Sequence, residues 1–364
     1  MARRIDLDGL VAGVRAGSRA HLARAITLVE SKLPAHREFA RELLLRVTET
    51  GQPTSDHPAR ENGDHAGARD EPRVLIPSSI RVGISGVPGA GKSTFINAMG
   101  LRLIEQGHRV AVLAVDPSSP ATGGSVLGDR TRMGELTMHE AAFVRPSPTA
   151  NHLGGVARAT REAMLLVEAA GYDVVIVETV GVGQSEVAVA DMVDTFLMLA
   201  LARSGDQLQG IKRGILELAD VIAVNKADGE NAGEARVTAR ELSIAMKLIS
   251  GDANKRRVPV LTCSAAERIG LDEVWAAVMD HRAYREAQPG GLAGFRSGQQ
   301  KRWMWSMVEA TLLDSLKADP EVRRLASSLE EGLSTHRVSA LDGAAQVLET
   351  FARSVPDQPW AARD

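Results

Sequence analysis

Two short stretches carry residue types that chemistry demands at fixed spacing. Gly86-Val-Pro-Gly-Ala-Gly-Lys92-Ser93, followed by Thr94, fits the pattern G-x-x-x-x-G-K-[ST], with an apolar run before it and an amphipathic stretch after it. Gly86, Gly89 and Gly91, interleaved with Pro88 and Ala90, allow backbone N–H groups to close around a phosphate. A helix N-terminus adds positive potential, Lys92 supplies a movable cation for the β and γ oxygens, and the Ser93 hydroxyl is a hard ligand for Mg²⁺. The bland alternative is a Gly-rich turn with an incidental lysine, and the strand–loop–helix context argues against it. The second stretch, Asn225-Lys226-Ala227-Asp228, ends the apolar run from Asp220 to Val224. An Asp carboxylate there accepts two hydrogen bonds from N1–H and the 2-amino group of guanine, a donor pair that adenine lacks. The stem of Lys226 can lie along the purine face, and Ser264 and Ala265, after a later strand, are expected to offer backbone N–H groups to the base oxygen. As a tetrapeptide the second motif is weak; in this order after the phosphate loop it implies that GTP and GDP are the ligands.

Carboxylates for the metal side are found where strands should end. Asp173-Val-Val-Ile-Val-Glu178 runs into Thr179-Val-Gly181, which places Glu178 to hold Mg²⁺ and Gly181 to meet a γ-phosphate. An Asp is the commoner acid there, and the longer Glu178 side chain still reaches a metal or its water. Asp116, which ends another apolar run, and Asp129, in the following loop, are further candidates for the metal shell, although a lone loop Asp is more often a turn or cap residue. Gln184, with Glu186 nearby, is a candidate for orienting an attacking water, against the plainer reading of a solvated loop residue. Arg130, Arg132 and Arg145 lie in suitable loops, and spacing singles out none of them as a charge-stabilising finger. No general base is evident, so intrinsic turnover is expected to be slow.

These residues need a scaffold, and the chain has length for one: 364 residues suit a single α/β domain with helical extensions. Apolar runs at 80–85, 109–115, 142–145, 173–178, 195–201, 220–224 and 258–262 alternate with amphipathic stretches at 92–105, 155–170, 231–249 and 271–286. Several runs are continuous, as strands buried on both faces should be, which predicts a mostly parallel sheet covered by helices on both sides. We divide the chain into an N-terminal helical arm at 1–50, read as a pair of helices, a polar linker at 51–78, the nucleotide-binding domain at 79–288, and a C-terminal helical arm at 289–364. His57 and His65 in the linker have no third ligand at usable spacing. The single cysteine, Cys263, excludes an intramolecular disulfide and reads as a small buried residue at a strand end. A net charge of −3 gives no field that would draw nucleic acid or an anionic membrane, and neither partner is expected. No apolar run is long enough to span a bilayer and no secretory signal is apparent, so the expected location is the cytoplasm.

With these motifs in place the chain resembles one family, the MeaB/MMAA-type (also ArgK-type) GTPases, chaperones of adenosylcobalamin-dependent acyl-CoA mutases. The likeness rests on Gly83 to Thr94, Val115 to Pro120, Gly123 to Met133, Glu178 to Glu186, Gly205 to Lys212 and Asn225 to Asp228. It implies a P-loop NTPase fold of the SIMIBI class and matches Asp116, Asp129 and Glu178 to the magnesium and switch carboxylates. It also implies a homodimer, with methylmalonyl-CoA mutase as the foremost partner. The segment from Ser204 to Lys212 resembles a switch loop that contacts the mutase, with Lys212 a candidate for coupling partner binding to hydrolysis. Two rival readings stay open: a metallochaperone GTPase of the nickel-delivery kind, for which only Cys263 is at hand, and a nucleotide-dependent kinase, against which the Asn-Lys-Ala-Asp segment argues.

Overall fold

Strands buried on both faces can be apolar throughout, and the continuous apolar runs become strands in the computed structural model, which describes residues 5–31, 33–49, 78–115, 133–145, 153–179, 185–202, 213–250, 256–358 and 360. Among these residues the strands are β1 (Ile80–Gly86), β2 (Val110–Val115), β3 (Ala142–Arg145), β4 (Val174–Thr179), β5 (Thr195–Leu201), β6 (Val221–Asn225) and β7 (Val260–Thr262). They form one parallel sheet in the order β3-β2-β4-β1-β5-β6-β7. The helices are α1 (Leu7–Arg15), α2 (Arg19–Glu30), α3 (Pro34–Thr48), α4 (Lys92–Glu105), α5 (Gly134–Met138), α6 (Leu153–Ala169), α7 (Ser185–Ala190), α8 (Arg213–Leu218), α9 (Asn231–Ser250), α10 (Leu271–Glu286), α11 (Gly291–Ala318), α12 (Pro320–Ser334) and α13 (Ala340–Ser354).

The two-residue period of a strand decides which side chain meets which helix. Val110 and Val112 face one layer with Phe95, Ile96, Met99 and Leu103 of α4 and Val274 and Val278 of α10. Ala111, Leu113 and Val115 face the other, with Met164 and Val167 of α6 and with Leu22, Ile26 and Leu43 of the N-terminal helices. Farther along that second face Met198, Ile222 and Val224 meet Leu216 of α8 and Leu242 of α9. The N-terminal segment forms three helices where the sequence suggests a pair, because the Gly17-Ser18 turn ends α1 just ahead of α2. The second of them runs along the sheet edge: Arg19 donates to the carbonyls of Thr137 and His139 (3.3 and 3.4 Å), while Arg145 at the end of β3 is ion-paired with Glu30 and donates to Thr27 (3.3 Å).

By its internal contacts the chain divides into residues 1–296 and 297–364. In the second unit Asp319 caps α12 by accepting from the N–H groups of Glu321 and Val322 (2.8 and 3.0 Å), with Pro320 in the first turn, where its missing N–H costs nothing. A hydrogen bond with Ser354, together with these amides, holds the Asp319 carboxyl below the usual carboxylate range. Among the described residues no helix is long and apolar enough to cross a membrane.

The amino-terminal edge of the sheet is locked by buried charge. Arg296, 2% exposed, grips Asp194 through Nε (2.8 Å) and Nη2 (2.6 Å) and also donates to the Ser79 carbonyl (2.6 Å). Beside this pair, His281 Nδ1 is hydrogen-bonded to Thr195 Oγ1 (2.9 Å) and its Nε2 lies 3.2 Å from Asp220 Oδ1. Burial, with the nearby Arg285 and Arg256, lowers the His281 pKa from 6.5 to about 3; burial raises that of Asp220 from 3.8 to about 6, against the Phe196 amide and the same arginines. The two groups act oppositely on stability. Below pH 6.5 the unfolded chain charges His281 and the folded chain does not, which costs stability as pH falls. Below about pH 6 the folded chain protonates Asp220 and the unfolded chain does so only near 3.8, which adds stability over the same range. Asp220→Asn removes the offset while leaving the causes of the His281 shift in place. Denaturant unfolding of the variant should therefore show a stability loss between about pH 6 and 4 that is steeper than the parent's by about 1.4 kcal/mol per pH unit. Parallel profiles would contradict the assignment.

Candidate functional site

At the carboxyl-terminal edge of the sheet the neighbouring ends of β4, β1, β5 and β6 bring the two sequence motifs together. The phosphate-loop segment leaves β1 at Gly86 and enters α4 at Lys92, and Gly91, in the left-handed conformation (φ 82°), holds the N-cap position. Gly86 passes so close to β5 that a Cβ there would lie 2.3 Å from the Leu199 carbonyl oxygen. The first turn of α4 has no side-chain cap and no acidic residue, so its amides are left for an anion. Lys92 Nζ donates to the Gly86 carbonyl (2.8 Å), which curls the ammonium back over the loop. Ser93 and Thr94 follow on the same turn, the first half-buried and the second exposed.

The pairing of Ile84 with Glu178 across β1 and β4 sets the carboxylate beside this loop. Glu178 is 3% exposed, and Ser93 Oγ lies 3.4 Å from its Oε1. A hydroxyl and a carboxylate oxygen side by side are the hard donors Mg²⁺ prefers, so these residues fit that ion. One residue on, Thr179 Oγ1 donates to Ser85 Oγ (2.9 Å) in the buried floor between the two strands, a contact that no motif announces.

Asn225 is the hinge of the site. Its Nδ2 donates to the Ala90 carbonyl (2.8 Å) and its Oδ1 accepts from the Ala265 amide (3.0 Å), so one buried side chain ties the phosphate-loop segment to the loop after β7. A Cβ on Gly91 would sit 2.8 Å from Asn225 Nδ2, which excludes any larger residue there without displacing the brace. Lys226 adopts a positive φ of 60° and is exposed, its Cε 3.8 Å from that same Cβ position. Ser264 Oγ donates to Asp228 Oδ2, pairing the carboxylate with the second loop. The expectation for the amides of Ser264 and Ala265 needs correction: the first donates to the Ile269 carbonyl (2.9 Å) and the second to Asn225, so both serve the protein's own frame. Cys263, 1% exposed, is the small buried residue expected, its thiol pushed up to about 12 by burial. Arg145, held by Glu30, is a structural latch. Glu186 is buried at the start of α7. Asp116, Asp129, Gly181, Gln184 and Lys212 lie outside the described residues, as do Arg130, Arg132 and the linker histidines His57 and His65. The described chain resumes after residues 116–132 with α5, whose Leu136 N–H donates to Asn97 Oδ1 of α4 (3.1 Å).

A parallel sheet with a glycine loop running into a helix, and an Asn-Lys-x-Asp segment braced against that loop, defines a nucleotide-binding α/β protein of the P-loop GTPase class. Residues 74–321 match the family model described as methylmalonyl Co-A mutase-associated GTPase MeaB, and the chain belongs to that family. A probable GTPase of Mycobacterium tuberculosis is 53% identical over 346 residues, 94% of each chain. The GTPase ArgK of Escherichia coli is 43% identical over 336 residues (92% of this chain, 94% of that one). The mitochondrial methylmalonic aciduria type A homolog of Mus musculus is 43% identical over 345 residues (95% and 79%). The crystal structure of a LAO/AO transport system kinase matches with a TM-score of 0.70 at 36% identity, covering 97% of this chain and 99% of that one.

Asn225→Ala leaves the Ala90 carbonyl and the Ala265 amide buried without their partner. At about 1–3 kcal/mol for each of the two stranded groups, the variant should lose about 2–6 kcal/mol of unfolding free energy in a urea titration. A loss under about 0.5 kcal/mol would mean that the brace is dispensable.

Proposed function

We propose that the chain is a Mg²⁺-dependent GTP hydrolase of slow intrinsic turnover, forming GDP and phosphate. It acts as a chaperone that gates cofactor loading, protection or reactivation in an adenosylcobalamin-dependent acyl-CoA mutase, methylmalonyl-CoA mutase foremost. The observation that carries the nucleotide reading is the Asn225 bridge, which makes the phosphate-binding and base-reading loops one unit. The family description and the mouse relative's name support the mutase partner.

In this reading the N–H groups of Gly89, Gly91, Lys92, Ser93 and Thr94 and the Lys92 ammonium bind the β- and γ-phosphates, with Gly86, Pro88 and Ala90 shaping the loop, and Asp228 reads the guanine edge with Lys226 along its face. Ser264 and Ala265 shape the base pocket by holding Asp228 and Asn225. Ser93 and Glu178, with Asp116 and Asp129, would hold Mg²⁺, which when bound neutralises charge on the phosphate oxygens. Gly181 meets the γ-phosphate, Gln184 orients the water for in-line attack, and Lys212 couples mutase contact to hydrolysis. The homodimer reading is supported by exposed apolar residues at helical spacing in the second unit: Trp305, Val308 and Leu312 on α11, and Leu341 and Leu348 on α13.

Two variants test the assignment. Asp228→Asn should shift the preference from GTP to XTP by about 100-fold or more, since the amide donates to the extra carbonyl of xanthine and no longer accepts from guanine; an unchanged preference in a binding titration would remove Asp228 from the base site. Lys212→Ala should keep intrinsic hydrolysis within about twofold and lose most of the stimulation by added methylmalonyl-CoA mutase. An equal loss with and without the mutase would sink the coupling role.

A further inference from the structure

Away from the nucleotide site, α1, α2 and the start of α3 enclose a cleft of about 480 Å³, within the range of small-ligand pockets. Its apolar floor is Ile5, Leu10 and Leu28, and its polar wall carries His21, Arg24 and His36. None of these three has a use elsewhere in the described structure that would explain its polar end. Arg24 makes no ion pair and no hydrogen bond among the described residues, and each histidine is engaged through Nδ1 alone. Ser31 Oγ accepts from the Leu33 amide (3.3 Å) and lies 2.8 Å from His36 Nδ1. Nε2 of His36 has no partner among the described residues, and the ring presents an N–H there when Nδ1 accepts from the serine or when the imidazole is charged. Ser18 Oγ lies 2.8 Å from His21 Nδ1, which leaves Nε2 of that ring also without a partner among the described residues. The His21 ring is fixed by packing against Gly13 of α1, where a Cβ would sit 2.2 Å from its Cγ. The acidic residue on the wall, Asp6, is occupied in capping α1 through the Gly9 amide (3.0 Å). The lining therefore offers two uncommitted imidazole Nε2 positions, able to donate, and a guanidinium above an apolar floor, an arrangement that suits an anion with a short hydrocarbon body. A metal is disfavoured, since the described residues contain no group of three His, Cys, Asp or Glu side chains able to hold one.

We propose that this cleft binds a small organic anion, a carboxylate or phosphate head held by Arg24, His21 and His36 with an apolar body on Ile5, Leu10 and Leu28. The site is separate from the nucleotide loops, so its occupancy does not rest on the GTPase reading.

The test is calorimetric titration of the full chain with hexanoate and with phenyl phosphate, with hexanol as the uncharged control, and with binding of a non-hydrolysable GTP analogue measured on the same preparations. Histidine side-chain NMR signals follow His21 and His36 during each titration. The expected result is binding of at least one anion and not of hexanol, with both histidine signals shifted, and the tighter of the two anions names the head group. Arg24→Ala should weaken binding about tenfold or more and Arg24→Lys less, with GTP-analogue affinity unchanged. Arg24 is exposed and unpaired, so neither substitution removes a folding contact. Absence of heat and of signal shifts up to about 10 mM anion, or equal binding by the parent and Arg24→Ala, would overturn the proposal.

Discussion

A loop that closes around phosphate must leave most of its amides open, so beyond one internal turn bond, Ala90 N–H to the Val87 carbonyl (3.1 Å), it needs an outside brace. Here the carbonyl side carries the restraint. The Ala90 carbonyl accepts from Asn225, and through the same side chain the restraint passes to the Ala265 amide. Because Asn225 is the last residue of β6, its position is set by that strand's place beside β5, whose Leu199 carbonyl in turn excludes a side chain at Gly86. The phosphate loop, the Asp228 segment and the loop after β7 are thus referred to one rigid sheet edge. The arrangement holds the phosphate-loop and Asn-Lys-x-Asp segments in one fixed relation.

The acidic side is fixed by register instead. Glu178 pairs with Ile84 on one side and Ala114 on the other, so its carboxylate cannot move along the sheet without breaking two ladders. The buried Thr179–Ser85 hydrogen bond closes the floor beneath it, and partial burial raises the worth of every electrostatic contact there. On the edge strand β3 the restraint comes from outside the sheet. Arg19 and Glu30, at opposite ends of α2, hold the carbonyls before β3 and the arginine at its end.

Much of this was legible in the sequence, and the reasons differ by element. The strands were readable because burial on both faces leaves unbroken runs such as Val110–Val115, and α4 and α10 because the stretches at 92–105 and 271–286 are long enough to read as helices. The short helices α5, α7 and α8 went unread: five or six residues are too few to display a helical period. The N-terminal helices were seen as an arm, yet Leu22, Ile26 and Leu43 share a core with strands β2 and β4, and a pattern of apolar positions does not say which surface they will meet. The site residues were named by motif; their mutual bonds were not. That the Ala265 amide goes to Asn225, 40 positions earlier, and that Arg145 is claimed by Glu30, 115 positions earlier, follow from tertiary pairing that no local spacing encodes.

The two edges of the sheet divide the labour in a way their charges explain. Burying an ion pair gains little net stability, since desolvation offsets the attraction, but a bidentate pair permits one geometry where apolar packing permits several. Arg296 with Asp194, and Arg81 with Glu168, occupy the amino-terminal edge and fix how α10, the first turns of α11 and the strands β1 and β5 meet. At the opposite edge the buried carboxylate Glu178 sits against the Ser93 hydroxyl. Specificity of assembly is placed largely where strands begin, and the ends of the same strands carry the polar groups of the phosphate-loop and Asn-Lys-x-Asp segments.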